Sequence, residues 1–519
     1  MDIVRIGENE TKQFDAETIG AKAANLSRMA ALGLPVPPAF VLPIGLCAEF
    51  ANGGRHAPRL AECLAEGIRF LEKVTGKIFG DARRPLLVSV RSGAARSMPG
   101  MLDTVLDVGC TGAAVHGLIR MTGNPRFAWD CRQRFLESYG EVVIGLDKAQ
   151  FAARRAALKA GDLDSEELER FALDFEQVIE NEDEKLPDDP MEQLETAALA
   201  VYRSWGSERA RTYRRLQHLD HLEGTAVTVQ AMVFGNRGRS SCAGVAFSRD
   251  PSTGAPRPII DVLFESQGED IVSGNRTPET EDAIERRAPQ TAAKLYEAFK
   301  RLEKEFADVQ DVEFTIEEGN LWLLQTRAAK RTPLAALKFA IDFVKEGLLT
   351  LPQALERLND LDINALAHRR LADAHDPIAC GNGASAGVAV GRAAFDSDSA
   401  QRIAARGEAV ILVRPDTSTA DVAGFAASAG IVTGAGGRTA HAALVARQMG
   451  KPCVVGCTGL VVDDTSHNVH LVDAVIDQGD WLSIDGEAGT VYRGRCDVIV
   501  ERPEAELAEI RRWRANVQR

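Results

Sequence analysis

The chain has 519 residues, of which 45% are hydrophobic and 26% are charged, and its formal net charge at pH 7 is −14. This length is enough for about three globular domains of roughly 100–200 residues each. The net negative charge argues against a nucleic-acid or anionic-membrane surface, because those surfaces need concentrated positive charge. A nucleotide site is still allowed, since local arginines can outweigh the overall sign.

Two further features bear on where the protein works. The N-terminal sequence lacks the apolar core of a signal peptide, and no run of about 18 apolar residues predicts a membrane span. The 9 cysteines are scattered without a CxxC motif, which predicts reduced, mostly buried thiols and does not favour a zinc site. We therefore expect a cytoplasmic protein without a membrane or nucleic-acid partner. The sequence leaves the oligomeric state open, a homo-oligomer included.

Residues 1–330 are predicted to form one α/β domain with a helical insertion at about 111–220. Near its start, "AKAANLSRMAALG" has apolar residues at helical spacing and ends in a glycine stop. A buried strand, "RPLLVSV", then runs into the glycine- and serine-containing loop "RSGAARSMPGM". Beyond the charged helical insertion, "GTAVTVQAMVFGN" returns to strand character.

The stretch "QDVEFTIEEGNLWLLQTR" predicts a β-hairpin whose turn is "EEGN". Strand alternation places Asp311 and Glu313 on one face. If the hairpin is centred on Gly319, Glu313 lies opposite Gln325 and Asp311 lies opposite Arg327. The resulting polar patch is either a surface ladder of ion pairs, which stabilises little, or a site for a charged ligand.

The remaining chain is predicted to contain a helical linker at 331–380, an α/β domain at 381–500 and a basic helical tail at 501–519. In the linker, Thr332 can cap a helix that Pro333 begins and Gly347 ends. The glycine-rich α/β domain has strands "AVILVRP", "AGIVTG" and "PCVVG", with helices between them.

In this last domain, "GGRTAHAALVARQMG" places His441 between a glycine pair and a predicted helix. A turn followed by a helix with an incidental histidine is one explanation. The other is an imidazole that receives an anionic group. Its unperturbed pKa of about 6.5 leaves a neutral nucleophile near pH 7, and the free N–H groups of a helix N-terminus favour a phosphate. The glycines would leave open space for a second active site to approach.

Taken together, these segments resemble the pyruvate phosphate dikinase family over about residues 10–500. The resemblance includes "TIGAKAANLSRMAALGLPVPPAF", "LLVSVRSGAARSMPGMLDTVLDVG" and "GGRTAHAALVARQMGKPCVVG". The second of these is close to the phosphate loop of pyruvate phosphate dikinases and differs from the "AVRSSATAEDLP" type of water dikinases. The resemblance implies an α/β multi-domain fold: an ATP-grasp-type nucleotide-binding domain, a helical linker and a phosphohistidine swivelling domain.

The same resemblance implies ATP and Mg²⁺ as cofactors, inorganic phosphate as a second substrate and His441 as the phosphorylated nucleophile. Phosphoryl transfer depends mainly on positioning and on neutralising charge, which suits lysine, arginine and carboxylate-bound Mg²⁺. The implied ATP-binding residues are Lys22, Arg91, Ser97, Gly100, Met101, Glu269, Asp311, Glu313, Gln325 and Arg327. Asp311 and Glu313 are also the implied metal ligands.

One departure concerns the residues before His441. The family usually has "TARGGMTSHA", whereas this chain has "TGAGGRTAHA", so that Ala435 replaces an arginine and Arg438 follows the glycines. Either Arg438 serves the same phosphate from a new position, or the docking of the histidine domain has changed. Arg414 is a second candidate phosphate contact. Thr439 matches a threonine that is reversibly phosphorylated in plant dikinases, but a hydroxyl that only caps or binds phosphate is favoured.

Members of the family continue into a TIM barrel that binds pyruvate and carries an acid/base cysteine in a "CGEHGG"-like motif. No such motif occurs in the sequence. We therefore expect the ATP-dependent half of a dikinase, which passes its phosphoryl group to pyruvate or another acceptor through a separate barrel domain. A natural short paralogue and a shortened chain both fit. The alternative function is a non-catalytic ATP-binding regulator or assembly partner, and the retained site residues favour the enzyme.

Overall fold

The computed structural model describes residues 3–7, 13–51, 58–96, 98, 101–147, 149–151, 164–180, 186–272, 277–363, 366–372, 376–416, 421–463, 468–471 and 474–517. Their contacts form two compact units. The first comprises Met1–Gly238 and Trp322–Thr326, and the second comprises Arg239–Leu321 and Arg327–Arg519. Helices and sheets occur in both, so the protein has the α/β multi-domain fold that the sequence predicts.

The first unit is built on a five-stranded sheet in which every pairing is antiparallel. Its strands, in spatial order, are Val4–Ile6, Ala39–Leu42, Ala226–Ala231, Val88–Gly93 and Thr104–Val108. A short parallel pair, Ile78–Phe79 and Pro85–Leu86, lies apart from this sheet. Alternating apolar residues on the strands supply one side of the main core, in which Val90, Val105 and Val229 are fully buried.

Helices supply the rest of that core. They are Ala16–Ile19, Ala21–Ala31, Cys47–Ala51, Pro58–Thr75, Gly112–Thr122, Pro125–Tyr139, Ser165–Glu180, Pro190–Ser204 and Glu208–Leu216, with a 3₁₀ turn at Ile44–Leu46 and a π turn at Gly140–Ile144. Several start at a side-chain cap: Thr111 accepts the Ala114 N–H at 3.1 Å, and Ser207 accepts the Ala210 N–H. In the described part of 111–220, the regular elements are all helical.

The second unit contributes the strands Gln310–Glu317, Cys242–Phe247 and Ile259–Phe264, in that spatial order, to a four-stranded sheet in which each pairs antiparallel with the next. The remaining strand, Asn320–Ala328, follows Gln310–Glu317 at the edge of the sheet, and its residues Trp322–Thr326 are counted with the first unit. The predicted hairpin is confirmed: its two strands flank Glu318 and Gly319, which have positive φ angles of 49° and 81°. Helices Gly268–Val272, Glu281–Arg287 and Pro289–Phe306 accompany this sheet.

The linker is only partly helical, which corrects the sequence-based expectation. Thr332 caps Pro333–Lys345 by accepting the Ala335 N–H at 3.1 Å, and Leu351–Arg357 follows. The chain then forms a strand, His368–Leu371, because an antiparallel partner, Val498–Glu501, is available to complete its backbone hydrogen bonds.

The C-terminal segment is likewise part of a core. Helix Glu504–Val517 buries Leu507, Ile510 and Trp513 in the same apolar cluster as Leu337 and Phe339 of the first linker helix. An apolar stripe on an otherwise charged helix is the usual signature of such packing. The segment predicted as a tail therefore packs against the linker helices.

The glycine-rich region forms an eight-stranded mixed sheet. Its strands, in spatial order, are Ala379–Cys380, Thr490–Arg493, Trp481–Asp485, Val388–Ala394, Val410–Arg414, Gly430–Thr433, Cys453–Val455 and Asn382–Ser385. The four strands from Val388–Ala394 to Cys453–Val455 are parallel, and helices Ser397–Ala404, Val422–Ala427 and His441–Met449 connect them. A three-stranded sheet, Leu460–Asp463, Asn468–Leu471 and Ala474–Asp477, completes the region. The three strands predicted there from sequence are confirmed.

Two composition-based expectations can be compared with this structure. All nine cysteines are described, all are free thiols and seven are buried. Within the described ranges, no helix combines the length and the apolar character that a membrane span requires.

Candidate active site

One face of the four-stranded sheet carries the predicted metal carboxylates. In the antiparallel register, Glu313 lies opposite Val245, which in turn lies opposite Asp261. The neighbouring row on the same face is Asp311, Phe247 and Ile259. Residues directly opposite each other in an antiparallel pair point to the same side, and adjacent strands are about 4.8 Å apart. Asp261 and Glu313 therefore share a face and are separated by two strand spacings, or roughly 10 Å.

Asp311 and Arg327 form the ion pair that the hairpin register predicts. The Arg327 Nε donates to Asp311 Oδ2 at 2.8 Å, and the Asp311 side chain is only 2% exposed. Burial raises the pKa of the Asp311 carboxyl, and the neighbouring Glu313 carboxylate adds to this effect, although Arg327 opposes it. Burial alone would lower the pKa of Arg327, but attraction to Asp311 and Glu313 raises it overall. The predicted patch is thus a coupled cluster of two carboxylates and a guanidinium.

The Asp311 carboxylate also fits a cation. Its second oxygen, Oδ1, is buried and has no hydrogen-bond partner. An unpaired buried carboxylate oxygen is costly unless a ligand satisfies it. Among the described residues, no group of three or more histidine, cysteine or acidic side chains could enclose a metal ion. A Mg²⁺ ion at Asp311 and Glu313 would therefore complete its shell with water and phosphate oxygens, as Mg²⁺ usually does.

Glu269 lies on the short helix Gly268–Val272, which covers the same sheet face. Ile271 of this helix packs with Val245 and Leu263, whose side chains belong to the carboxylate face. Glu269 is half-buried there. Gln325 is buried on the hairpin's second strand and belongs to the first unit by its contacts.

Lys22 and Arg91 belong to two segments that meet in the first unit. Lys22 is the second residue of helix Ala21–Ala31, and Arg91 lies on the strand Val88–Gly93. The Ala21 N–H donates to the Ala94 carbonyl at 2.9 Å. A Cβ added to Gly20 would lie 2.1 Å from the carbonyl oxygen of Gly93, so only a glycine allows this approach.

The phosphate loop is described only in part. Ser97 and Gly100, which the sequence assigns to phosphate binding, lie outside the described residues. Met101 is half-buried, and its backbone N–H donates to the Met98 carbonyl at 3.2 Å. Met101 packs with Ala210 in a small apolar cluster that anchors the end of the loop to helix Glu208–Leu216.

His441 is the first residue of helix His441–Met449. Its imidazole lies outside the described part of the structure. The residue before it, Ala440, occupies the N-cap position in an extended conformation and has no side chain that could accept a helix N–H. The first N–H groups of this helix therefore lack a side-chain cap, which is the arrangement that favours an anion at a helix N-terminus.

The loop before His441 rests on the carboxylate face of the four-stranded sheet. The backbone N–H of Thr439 donates to Asp261 Oδ2 at 2.8 Å, and its hydroxyl donates to the same oxygen at 3.0 Å. A Cβ on Gly437 would lie 2.4 Å from Pro278 Cγ and 2.5 Å from Asp261 Oδ2. The expectation that the glycine pair leaves open space is wrong for Gly437, because that space is filled by the surface on which the loop lies.

The guanidinium of Arg438 contacts carboxylates in this structure. Its Nη2 donates to Glu281 Oε2 at 2.6 Å and to the Ile260 carbonyl at 2.9 Å, and its Nε lies 3.3 Å from Asp261 Oδ1. Arg414 donates to the Phe395 carbonyl at 2.8 Å and lies 3.3 Å from Asp421. The phosphate-contact roles of both arginines remain predictions.

Sequence reasoning did not identify Arg447, which lies six residues beyond His441 on the same helix. Its side chain is 1% exposed, stacks on the Phe247 ring with its Cζ 4.8 Å from the centroid, and donates to the Arg438 carbonyl at 2.8 Å. Burial lowers the pKa of Arg447 to about 10. The sequence did contain a signal for this role, since Arg447 interrupts the otherwise apolar run "AALVAR" of the helix. An arginine on an apolar helix face needs a buried partner.

Profiles of known protein families match two regions of the chain. A family profile described as "Pyruvate phosphate dikinase, AMP/ATP-binding domain" matches residues 56–295, and one described as "PEP-utilising enzyme, mobile domain" matches residues 407–489. Similar proteins include a pyruvate, phosphate dikinase of Rhizobium meliloti (strain 1021), 41% identical over 98% of this chain and 59% of the relative. Pyruvate, phosphate dikinase 2 of Zea mays is 41% identical over 99% of this chain and 60% of its own length.

A third relative, the chloroplastic pyruvate, phosphate dikinase 1 of Arabidopsis thaliana, is 39% identical over 99% of this chain and 54% of the relative. The chain therefore spans between 54% and 60% of the length of these three relatives. The assignment rests on two observations. The two family profiles match in their order along the chain, and the relatives are 39% to 41% identical to it over 98% to 99% of its length. The chain belongs to the pyruvate phosphate dikinase family.

Proposed function

We propose that these 519 residues catalyse the ATP-dependent half of a dikinase reaction. ATP and inorganic phosphate would phosphorylate an imidazole nitrogen of His441, and AMP and pyrophosphate would be released. The phosphoryl group would then pass to pyruvate, or to another acceptor, through a separate barrel domain. A cytoplasmic location and an ATP-grasp architecture for residues 1–330 belong to the same proposal.

The position of the loop before His441 carries this proposal. Thr439 and Arg438 contact Asp261, which shares a sheet face with Glu313 and Asp311. The helix that begins at His441 therefore starts next to the face that bears the candidate nucleotide and metal residues. Effective phosphoryl transfer requires this closeness, because it depends on positioning more than on covalent help from the protein.

The charged residues have distinct proposed roles. Bound Mg²⁺ would neutralise charge on the phosphates of ATP. Asp311 and Glu313 would hold the Mg²⁺ ion at one face of the sheet. Arg327 keeps the Asp311 carboxylate oriented through its 2.8 Å hydrogen bond. Lys22 and Arg91 would bind phosphate oxygens, since both are cations suited to that task.

The alternative is an ATP-binding regulator that performs no chemistry. Intact-mass measurement after incubation with MgATP and inorganic phosphate distinguishes the two. The enzyme gains one phosphoryl group that is lost in acid and maps to His441, whereas a regulator binds ATP and keeps its mass. Omitting inorganic phosphate is the control, because pyrophosphate cannot form without the inorganic phosphate that accepts a phosphoryl group from ATP. Bound ATP with an unchanged mass would refute the enzymatic proposal.

A further inference from the structure

Arg438 is the centre of an ion-pair cluster that joins two parts of the second unit far apart in sequence. It contacts Asp261 on the strand Ile259–Phe264 and Glu281 at the start of helix Glu281–Arg287. The exposed side-chain fractions are 14% for Arg438, 3% for Asp261 and 22% for Glu281. Because these charges are largely shielded from water, their attraction is screened much less than that of a surface pair.

Titration behaviour agrees with this geometry. Burial alone would lower the pKa of Arg438, but attraction to Asp261 and Glu281 raises it overall. Burial alone would raise the pKa of Glu281, but the hydrogen bond and the charge of Arg438 lower it overall. Arg438 and Glu281 therefore hold each other in their charged forms. Removing the cation would leave two carboxylates in a partly dehydrated site, where unpaired charge is strongly unfavourable.

Two neighbours of Arg438 are fitted to the same surface. Gly437 lacks the Cβ that would collide with Pro278 and Asp261, and Thr439 donates two hydrogen bonds to Asp261 Oδ2. Behind the loop, Arg447 Nη1 donates to the Arg438 carbonyl at 2.8 Å. Immediately before the helix of His441, Gly437 thus packs closely against this site, and Arg438 and Thr439 make polar contacts with it.

We propose that Arg438, Asp261 and Glu281 form a docking clamp that holds the phosphohistidine segment at the carboxylate face. Arg438 is then a positioning residue: it sets the fraction of molecules in which His441 faces the nucleotide side, and it touches neither ATP nor phosphate. The proposal rests on the proposed function for its consequence in catalysis, but the docked contact itself exists without any substrate.

The clamp also accounts for the departure from the family motif. Position 438 corresponds to a methionine in "TARGGMTSHA", and a thioether cannot pair with carboxylates. Of the two explanations that the sequence leaves open, the contacts of Arg438 favour changed docking over a relocated phosphate ligand. If the clamp releases in each catalytic cycle, it can hold the docked segment only moderately tightly. A ligand can shift the docked state only by the difference between its binding free energies for the docked and the released states.

Hydrogen exchange tests the clamp directly, because the Thr439 amide donates to Asp261 in the docked state. We expect Arg438→Met to speed exchange of that amide by on the order of 10–100-fold, the effect of losing a charge-assisted hydrogen bond. Arg438→Lys should restore protection in part, since lysine keeps the charge but not the planar fork. The matched control is Arg493→Met in the same region, which removes an arginine from an exposed pair with Asp480.

Kinetics supply the second readout. Under the clamp, Arg438→Met lowers the maximal rate of His441 phosphorylation and leaves the KM values for ATP and inorganic phosphate near those of the wild type. A phosphate-contact role would instead raise a KM and leave exchange at Thr439 unchanged, and that result would overturn the proposal. Exchange in Arg438→Met equal to that in Arg493→Met would do the same.

A milder variant covers the case in which Arg438→Met does not fold. Glu281→Gln keeps the shape of the side chain and removes one charge, so it should speed exchange at Thr439 by a smaller factor. An unchanged exchange rate in that variant would contradict the clamp. If the wild type forms no phosphohistidine at all, the proposed function fails, and the exchange measurements still decide whether the clamp exists.

Discussion

Replacing Gly437 by alanine should block docking of the histidine segment by steric overlap alone. The added Cβ would lie 2.4 Å from Pro278 Cγ, 2.5 Å from Asp261 Oδ2 and 3.0 Å from Asp261 Cγ. Favourable contacts between carbon atoms lie at about 3.5–4.0 Å, so the overlap exceeds about 1 Å. Neither neighbour can easily move, because Pro278 is a buried ring and Thr439 holds the Asp261 carboxylate.

The magnitude follows from the cost of overpacking. One extra methyl group in a well-packed site typically costs about 1–3 kcal/mol. Here the cost falls on the docked arrangement and is absent when the loop leaves the surface. The docked population, and with it the rate of His441 phosphorylation, should therefore fall by about 5–150-fold. The overall free energy of unfolding should change much less than the phosphorylation rate.

Rapid-quench intact-mass measurement of phosphoenzyme formation provides the assay. The matched control is Gly112→Ala, because nothing lies within 4 Å of a Cβ at Gly112 and this glycine begins a helix in which alanine is favourable. The control should phosphorylate at the wild-type rate. Equal rates for both variants, with unchanged hydrogen exchange at Thr439, would refute the reasoning, since the overlap would then have been relieved without loss of docking.

Three further predictions concern the nucleophile, the metal carboxylates and the stability of the second unit. His441→Asn should bind ATP but form no acid-labile phosphoenzyme, and labelling at the wild-type level would remove this residue from the mechanism. Asp311→Asn and Glu313→Gln should slow Mg²⁺-dependent phosphorylation by about 10²–10³-fold with little change in the melting temperature; unchanged rates in both would contradict the metal assignment. Glu303→Ala should destabilise the protein by about 1.5–3 kcal/mol in chemical denaturation, because Arg249 loses its buried carboxylate partner and keeps only the more exposed Glu346. Glu297→Ala, which breaks an exposed pair, is its control and should cost at most about 1 kcal/mol.

Local sequence signals predicted those elements whose determinants lie within a few residues. Helix Pro333–Lys345 begins after Thr332, as predicted, because the cap and the proline act on adjacent backbone groups. The strand His368–Leu371 was not predicted, because its stability comes from pairing with Val498–Glu501, a segment distant in sequence. Strand formation depends on such partners more than helix formation depends on remote residues.

The candidate site shows the same division. The pairing of Asp311 with Arg327 could be predicted, since hairpin register fixes which residues lie opposite each other. The contacts of Arg438 with Asp261 and Glu281 could not, because the partners are 177 and 157 residues away. Nothing in the periodicity of either segment indicates which charges will meet in the folded chain.

The pairing of His368–Leu371 with Val498–Glu501 has a consequence for how the chain is threaded. The eight-stranded sheet lies between these two strands in sequence, so it is an insert whose entrance and exit run side by side as a two-stranded ribbon. After the ribbon, helix Glu504–Val517 returns to the linker helices and packs with Leu337 and Phe339. Helix Glu504–Val517 and the linker helices therefore hold both flanks of the insert, and the swivelling that we propose would move His441 relative to both of them.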